Sequence, residues 1–357
     1  MLSRGPGGIV PGHRELVATY GKGSFWSTVR STVAGGEDTK MSRSIRIFIG
    51  LAGTLLLLLA FGQGNTSVVS AAKPPTKTPT PVGPTPTPPP IPPGLRAGLR
   101  ASNYGISPFP SPSWWVNSIG SMVSRFPGSV GEQVAVVVEV LGGGGKGKCW
   151  AHFPNPSPGT TWPNVVFDDA DLFQPSFAAF DQNNIQVWLQ VEPASCDVSM
   201  LIDLVMQQYD NHPSVIGVGV DVEWYRKDIS REGKPVTDAE AAAWVGKTRT
   251  YNTNYQVFLK HWLTEKMPPS YRTGLVFIDD SQGHGSLDAM VSEFAVWGQT
   301  FTPSPVGFQY GYRSDKKWWS KLADPPGTIG NGLMTQIQNT RDLLWVDFTA
   351  YDIWPPE

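Results

Sequence analysis

The sequence predicts a (β/α)8 TIM barrel over residues 95–357. Three observations lead to this fold class: eight short runs rich in β-branched and aromatic residues, helical patterns between them, and a length typical of one eight-fold barrel. Strands that alternate with helices pair in parallel through right-handed crossovers, and eight such units close most naturally into a barrel. A doubly wound open sheet is the alternative that the same alternation allows.

The predicted strands are short apolar segments bounded by turn residues. They lie at 101–106, 134–140, 185–191, 215–223, 256–260, 273–279, 306–311 and 343–348. The clearest helix runs from Asp238 to about Thr250, where Thr237 and Glu240 form a capping box ahead of an alanine-rich segment. Other helices are predicted to begin near Ser113, Asp197, Ser286 and Ser314.

Alternation within the strands predicts which side chains face the barrel interior. In residues 185–192, Trp188 and Glu192 share a mixed face with two glutamines, opposite an aliphatic face. In the fourth strand, two glycines, Asp221 and Glu223 lie opposite valines, and in the last strand Trp345 and Asp347 lie opposite Leu344, Val346 and Phe348. We expect the apolar faces to meet the helices and the mixed faces to point inward, becoming polar at the C-terminal end where such barrels place their active sites.

This alternation gathers mostly acidic side chains at the C-terminal rim. Closely placed carboxylates cannot all ionise easily, so one of them should keep its proton near neutral pH, as a general acid requires. The predicted rim consists of Glu139, Glu192, Asp221, Glu223, Lys260, Asp279 or Asp280, Gln309 and Asp347.

Asp221 and Glu223 form the most specific pair of this rim. Their i, i+2 spacing would put both on one face of a strand, about 7 Å apart along it, with Gly217 and Gly219 leaving space beneath them. A protonated Glu223 could donate to a leaving oxygen while Asp221 orients a reacting group or stabilises positive charge. In the alternative arrangement, Asp221 pairs with Lys260 and only Glu223 projects into solvent.

The segment Gly217-Val218-Gly219-Val220-Asp221-Val222-Glu223 resembles the fourth-strand signature of chitinase-like family eighteen glycoside hydrolases. More loosely, it resembles the Asp-x-Glu strand of family twenty-five lysozymes. Both families are barrel enzymes. The chitinase resemblance implies that Glu223 is the acid and that Asp221 assists the N-acetyl group of the substrate as internal nucleophile. Ile216 and Gly219 stand where the chitinase pattern has further aspartates.

The resemblance and the acidic rim together lead to the hypothesis of a glycoside hydrolase that cleaves a polysaccharide, with amino-sugar polymers among its candidate substrates. The seventh strand carries Gln309 where many retaining glycosidases have a nucleophile. The remaining mechanisms are substrate assistance, or a second carboxylate from Asp279, Asp280, Asp347 or Glu192 acting as base on water. A non-catalytic carbohydrate-binding barrel and a divalent-metal-dependent hydrolase are the alternatives. No cofactor is expected.

Aromatic and polar side chains near the rim are candidate substrate contacts, because flat rings with a polar edge suit sugar faces. Trp224 and Trp150 follow strand ends, whereas Trp345 could equally belong to the core. His284, between two glycines, is a further candidate for a metal or substrate contact. The predicted substrate-binding set is Glu192, Lys260, Gln309, Tyr310, Trp224, Trp150 and Trp345.

Residues 1–94 are predicted to lie outside the folded domain. Residues 41–72 have the pattern of a secretion signal, with two arginines before an apolar run and small residues after it. An uncleaved membrane anchor is the alternative. Residues 73–94 form a Pro/Thr-rich linker, which should be extended, and residues 1–40 stay unassigned. The domain is therefore expected to be secreted or tethered to the cell surface.

The number of cysteines and the net charge limit the classes of function that the sequence allows. Cys149 and Cys196 are the only two cysteines, and because they follow consecutive strands at one rim, they predict a disulfide in an oxidising compartment. Two free buried thiols are the alternative. The net charge of −2 gives no electrostatic reason to expect a nucleic-acid partner. The sequence has no Gly-x-Ser-x-Gly elbow, phosphate loop or His-Glu-x-x-His helix.

Overall fold

The computed structural model describes residues 94–144 and 147–356. The predicted secretion signal, and the predicted linker up to residue 93, lie outside these residues. In the part of the chain that the structure describes, no helix is both long enough and apolar enough to cross a membrane.

Eight parallel strands close into a barrel, which confirms the predicted fold class over the open-sheet alternative. The barrel strands are β1 (Arg96–Ala101), β2 (Val130–Val140), β5 (Gln186–Val191), β6 (Val215–Asp221), β7 (Gln256–Lys260), β8 (Leu275–Asp279), β9 (Val306–Tyr310) and β10 (Thr340–Trp345). They follow one another around the barrel in chain order, and β1 pairs with both β10 and β2 to close it. A short pair, β3 (Cys149–Ala151) and β4 (Val165–Phe167), extends the sheet from β2.

Helices cover the barrel from outside. They are α1 (Pro112–Val123), α2 (Gln174–Gln182), α3 (Val198–Tyr209), α4 (Asp238–Arg249), α5 (Leu287–Phe301), α6 (Lys316–Trp319), α7 (Pro325–Gln336) and α8 (Ala350–Ile353). Asp197 and Ser286 cap α3 and α5, and Thr237 and Glu240 form the predicted capping box of α4. The helix predicted near Ser314 is only the four-residue α6.

One crossover lacks its α-helix. Between β7 and β8 the chain forms only a 3₁₀ turn at Thr264–Lys266. In this connection, the guanidinium of Arg272 lies 5.2 Å from the ring centroid of Phe277 and 5.3 Å from that of Phe301. The two rings stack with centroids 4.1 Å apart, so a cation and a loop cover apolar surface that a helix covers elsewhere.

The first barrel strand is Arg96–Ala101, and the prediction of a strand at 101–106 was wrong. Two arginines made this segment look unlike a barrel strand, yet both point inward, where buried carboxylates neutralise them. Arg96 pairs with Asp342 at 3.2 Å and Arg100 with Asp347 at 2.8 Å. Residues after Ala101 leave the sheet as a loop over the C-terminal rim.

The barrel interior holds a small apolar core, separate from the larger core beneath the helices. Trp188 of β5 and Phe258 of β7 meet there edge to face, with centroids 5.3 Å apart. A Cβ added to Gly219 would lie 2.0 Å from the Phe258 ring, and one added to Gly217 would lie 2.8 Å from Trp188. These glycines leave the space that the two rings occupy, and the predicted inward direction of Trp188, Gly217 and Gly219 is confirmed.

The predicted alternation of the last strand was wrong by one residue. Leu344 belongs to the interior core, while Trp345 packs outward against Trp319 and Tyr310 with centroids 5.2 and 5.5 Å away. Strand β10 ends at Trp345 and a 3₁₀ turn begins at Asp347. Asp347 therefore reaches the barrel interior through the turn and not through strand alternation.

Candidate active site

A buried lysine joins two of the predicted rim carboxylates. Lys260, at the end of β7, is paired in register with Asp221 at the end of β6. Its Nζ lies 2.8 Å from Oδ2 of Asp221 and 2.5 Å from Oδ2 of Asp280. Gln190 Nε2 also donates to Asp221 Oδ2 at 3.3 Å. The structure thus has the alternative arrangement, in which Asp221 pairs with Lys260.

A buried arginine holds two more rim carboxylates. Arg100 contacts Asp347 at 2.8 Å and Glu192 at 3.6 Å. The Tyr104 hydroxyl donates to Glu192 at 2.6 Å, and the backbone N–H and hydroxyl of Ser102 both donate to Asp347 Oδ2 at 2.6 Å. Asp347 and Glu192 are therefore occupied by protein partners, and their contacts suit support of the site better than proton transfer to a ligand.

The buried part of the rim has more carboxyl groups than cations. Arg100 and Lys260 face Glu192, Asp221, Asp280 and Asp347, each with a side chain at most 7% exposed. Burial raises the pKa of Asp221 to about 8; Lys260 opposes this shift and the neighbouring carboxylates add to it. Burial also raises the pKa of Glu192, against the effect of Arg100. A proton held at Asp221 near neutral pH relieves part of the charge imbalance.

Glu223 stands apart from this buried network. Strand β6 ends at Asp221, and the 3₁₀ turn Val222–Trp224 carries Glu223 outward, so the prediction that both acids share one strand face was wrong. The Glu223 side chain is 25% exposed, against 1% for Asp221. Lys227 Nζ lies 3.4 Å from Glu223 Oε1 and 3.7 Å from the Trp224 ring centroid.

Glu223 and Asp280 face a common cavity of about 430 Å³. Asp280 approaches it from the end of β8, and Trp262 from the segment after β7. Trp262 was missed by sequence reasoning, although its place two residues after Lys260 is a strand-end signal. The cavity is lined by Glu223, Trp262, Asp280, Ser281, Gln282, His284 and Glu293.

Glu293 was also missed, because it lies in the middle of α5 and no strand-end pattern identifies it. Ser281 links it to the rim: its hydroxyl donates to Glu293 at 2.9 Å and its N–H to Asp279 Oδ1 at 2.8 Å. Burial raises the pKa of Glu293, and burial with the nearby Glu293 charge raises that of Asp279 well above its usual range. Of the two consecutive aspartates, only Asp280 lines the cavity; Asp279 is fully buried.

Several buried polar atoms of this cavity have no protein hydrogen-bond partner. They are Oδ1 of Asp280, Oε2 of Glu293 and Nε2 of His284. The His284 ring packs edge to face on Phe294, and its backbone N–H donates to Asp315 at 2.6 Å. Because buried polar groups are nearly always satisfied, these atoms are available for hydrogen bonds to a polar ligand or to water in the cavity.

None of the seven predicted substrate contacts is among the residues that line this cavity. Trp345 and Tyr310 are fully buried beneath the helices, where they have no surface to offer a ligand, so the predicted substrate contact of both and the predicted inward direction of Trp345 were wrong. Gln309 is buried and accepts from the Tyr312 hydroxyl at 3.4 Å. Trp150 donates to Asp168 at 2.8 Å beside the buried His152.

Cys149 and Cys196 are brought together, with their Sγ atoms 2.7 Å apart, but both are free thiols in this structure. The predicted disulfide is therefore not formed here, although the thiols are in contact. Within 94–144 and 147–356, no three His, Cys, Asp or Glu side chains are arranged to hold a metal ion.

Comparisons with known proteins give similarity of structure only. No protein-family model matches the sequence, and no curated protein matches it. Similar solved structures include a putative alpha-L-fucosidase from Bacteroides thetaiotaomicron, 10% identical over 76% of this chain and 91% of that chain, with a TM-score of 0.46. A family 18 chitinase from Crocus vernus is 10% identical over 63% of this chain and 86% of that chain, with a TM-score of 0.38.

A beta-glucuronidase from an uncultured Clostridium species is 11% identical over 48% of this chain, with a TM-score of 0.36. This chain covers 35% of the length of that glucuronidase. The fold assignment rests on the closed strand order described above, and the resemblance of the Asp221 segment to chitinase-like enzymes stays a prediction.

Proposed function

We propose that the protein is a glycoside hydrolase that cleaves a polysaccharide in the cavity beside Glu223. The observation that supports this most is that a partly exposed carboxyl, Glu223, and a buried one, Asp280, line the same cavity at the C-terminal end of a barrel. Active sites of such barrels lie at this end, and hydrolysis of a glycosidic bond uses two carboxyl groups on opposite sides of the bond. The names of the similar structures agree with this class of reaction.

In the proposed reaction, Glu223 donates a proton to the glycosidic oxygen as the bond from that oxygen to the anomeric carbon breaks. Asp280, ion-paired with Lys260, takes a proton from the water that attacks the anomeric carbon. The products are a new reducing end and a released alcohol. Asp221 is a positioning residue in this scheme, since it contacts Lys260 and not the cavity, and the assisting role that the chitinase resemblance implies would require it to reach the substrate.

Trp262 supplies the aromatic surface of the proposed site. Its partly exposed ring lines the cavity, and a flat ring suits the apolar face of a sugar. Trp224 lies next to Glu223 in the chain, with Lys227 over its ring, and is the second candidate for this role.

The proposal is tested by incubating the purified protein with a panel of polysaccharides and measuring release of reducing ends. Glu223→Gln should abolish release, whereas Glu265→Gln, an exposed glutamate outside the cavity, should not. Full release by Glu223→Gln would contradict the assignment of the acid.

A non-catalytic carbohydrate-binding barrel is the second candidate. It is favoured by the ion pair between Glu223 and Lys227, which occupies the proposed acid, and by Gln309 in place of an acid on β9. Binding without cleavage, equal in wild type and Glu223→Gln, would support it. Loss of cleavage on adding a chelator would instead support a metal-dependent hydrolase, for which no ligand set was found in 94–144 and 147–356.

Export of the protein is also proposed. It rests on the signal pattern of residues 41–72 and the Pro/Thr-rich segment that follows. N-terminal sequencing of the protein recovered outside the cell tests it: cleavage after the small residues near position 72 supports secretion, and an intact N-terminus in the membrane fraction supports the anchor.

A further inference from the structure

The lining of the cavity beside Glu223 has a strong charge asymmetry. Three of its side chains are carboxyls, those of Glu223, Asp280 and Glu293, and none of its lining residues is a lysine or arginine. Two lysines act on these carboxyls from outside the cavity. Lys227 contacts Glu223, and Lys260 is shared between Asp280 and the more deeply placed Asp221. Within the cavity, burial raises the pKa of Glu293, and only the Ser281 hydroxyl and the His284 imidazole oppose this rise.

Asp280 supplies a second observation that is independent of this asymmetry. Its side chain is 7% exposed and lines the cavity, and Lys260 bonds only Oδ2, while Oδ1 is buried and has no protein partner. Glu293, another lining residue, has the same arrangement: Ser281 donates to Oε1, and Oε2 has no protein partner. The site therefore holds one free carboxylate oxygen on β8's end and another on α5.

Two free acceptors on ionisable groups call for a ligand that brings donors and positive charge. A sugar hydroxyl donates one hydrogen bond and leaves the charge uncompensated, whereas an ammonium group donates three and carries the opposite charge. A buried carboxylate oxygen without a hydrogen-bond partner costs free energy, so a donor placed on it is favourable. An N-acetylated amine is neutral and offers a single N–H.

We infer that the cavity selects a saccharide that carries a free ammonium group, held between Asp280 and Glu293, and this inference rests on the proposed function. The sugar ring would lie on Trp262, and the scissile bond would face Glu223. Glu293 would then be a specificity-determining residue that takes no part in proton transfer. Glu293 would distinguish amine-bearing polymers from acetylated or amine-free ones.

Calorimetric titration of the purified protein with three tetrasaccharides of the same linkage tests the inference. The probes are the tetramers of glucosamine, N-acetylglucosamine and glucose, compared at low and at high salt. The expected result is at least about tenfold tighter binding of the glucosamine tetramer, with the preference reduced at high salt because screening weakens partly exposed ion pairs.

The variant Glu293→Gln keeps the shape of the side chain and removes its charge. It should reduce the preference for the glucosamine tetramer to within about threefold of the glucose tetramer. Glu265→Gln, an equally conservative change at an exposed glutamate, should keep the full preference. Matching thermal unfolding curves establish that both variants are folded.

The outcomes separate this inference from the proposed function. Equal binding of all three tetramers, or a preference that Glu293→Gln leaves intact, would overturn the ammonium site, and cleavage of neutral polymers would still support the hydrolase. A Glu293-dependent preference without cleavage of any polymer would uphold the ammonium site and overturn the hydrolase. Binding of none of the tetramers would overturn the ammonium site, and the reducing-end assay on the polysaccharide panel would decide the hydrolase separately.

Discussion

Lys260 and Asp221 face each other from paired positions on adjacent strands, with 2.8 Å between Nζ and Oδ2. This contact divides the Asp221–Glu223 motif into two functional parts. The first acid is held inside the barrel by a cation that it shares with Asp280, and the second is carried to the cavity by a 3₁₀ turn.

Replacing Lys260 with methionine should destabilise the fold strongly. The change leaves Asp221 and Asp280 buried without their shared cation, and breaking a buried pair in this way costs about 3–5 kcal/mol. The free energy of unfolding in urea measures it. Lys247→Met is the matched control, because Lys247 pairs with Asp203 at the surface and its loss should cost less than about 1 kcal/mol. Similar losses in both variants would contradict the buried network.

Stability should depend on pH through Asp221. Its folded-state pKa of about 8 lies above the ordinary 3.8, so between these values the folded protein binds a proton that the unfolded chain releases. Asp221 therefore contributes to the free energy of unfolding an amount that is fully present below about pH 4 and is lost as pH rises toward 8. Wild type should lose stability relative to Asp221→Asn by at most about 1.4 kcal/mol per pH unit across this window. Parallel urea midpoints for the two proteins at pH 5 and pH 8 would exclude it.

Glu223→Gln should remove activity without removing the fold. Loss of a general acid lowers kcat by about 10²–10⁴-fold, while the exposed pair with Lys227 contributes less than about 1 kcal/mol to stability. Steady-state kinetics on a cleaved polysaccharide and a urea titration measure the two effects. An unfolded variant would show that Glu223 is structural.

Trp262→Ala should weaken substrate binding more than turnover. An aromatic contact of this kind is worth about 0.5–1.5 kcal/mol, so KM should rise about two- to tenfold with kcat little changed. Trp150→Ala is the control, since Trp150 contacts Asp168 and does not line the cavity. An equal effect of both changes would place the sugar outside the cavity.

Cys149 and Cys196 should form a disulfide when the protein is exposed to an oxidant. Their Sγ atoms are already in contact, and a bridge would close a loop of 47 residues. In the chain-entropy description such a loop contributes up to about 4 kcal/mol. Mass spectrometry of the unreduced protein counts the two hydrogens lost, and thiols that stay free after oxidation would refute the prediction.

The barrel could be predicted from sequence because its strands repeat a local signal. In β5 and β6, aliphatic residues that face the helices alternate with residues that face the barrel interior. Gly217 and Gly219 leave the space that the rings of Trp188 and Phe258 occupy. Strand β1 was misplaced because its inward positions are arginines, whose partners are far away in sequence. Asp347, for example, is 247 residues from Arg100.

The site was predicted less completely, for two physical reasons. The chain changes from strand to 3₁₀ turn after Asp221 and again at Asp347. Strand alternation therefore does not predict where the side chains of Glu223 and Asp347 point. Glu293 enters the cavity from a helix, so its role depends on how α5 packs and not on any strand-end pattern. The Lys260 pairing, in contrast, was among the arrangements that the sequence alone suggested.

The outer layer of helices is an arc with two ends, α4 and α5, because no α-helix lies between β7 and β8. A loop forms this connection, and Arg272 holds it against the rings of Phe277 and Phe301. The same loop also fixes the start of α4, because Ser270 N–H, Ser270 Oγ and Tyr271 N–H all donate to the Asp238 carboxylate in the first turn of that helix. The connection without a helix therefore acts as a clamp on its neighbour, and residues inserted at Ser270 would release the first turn of α4.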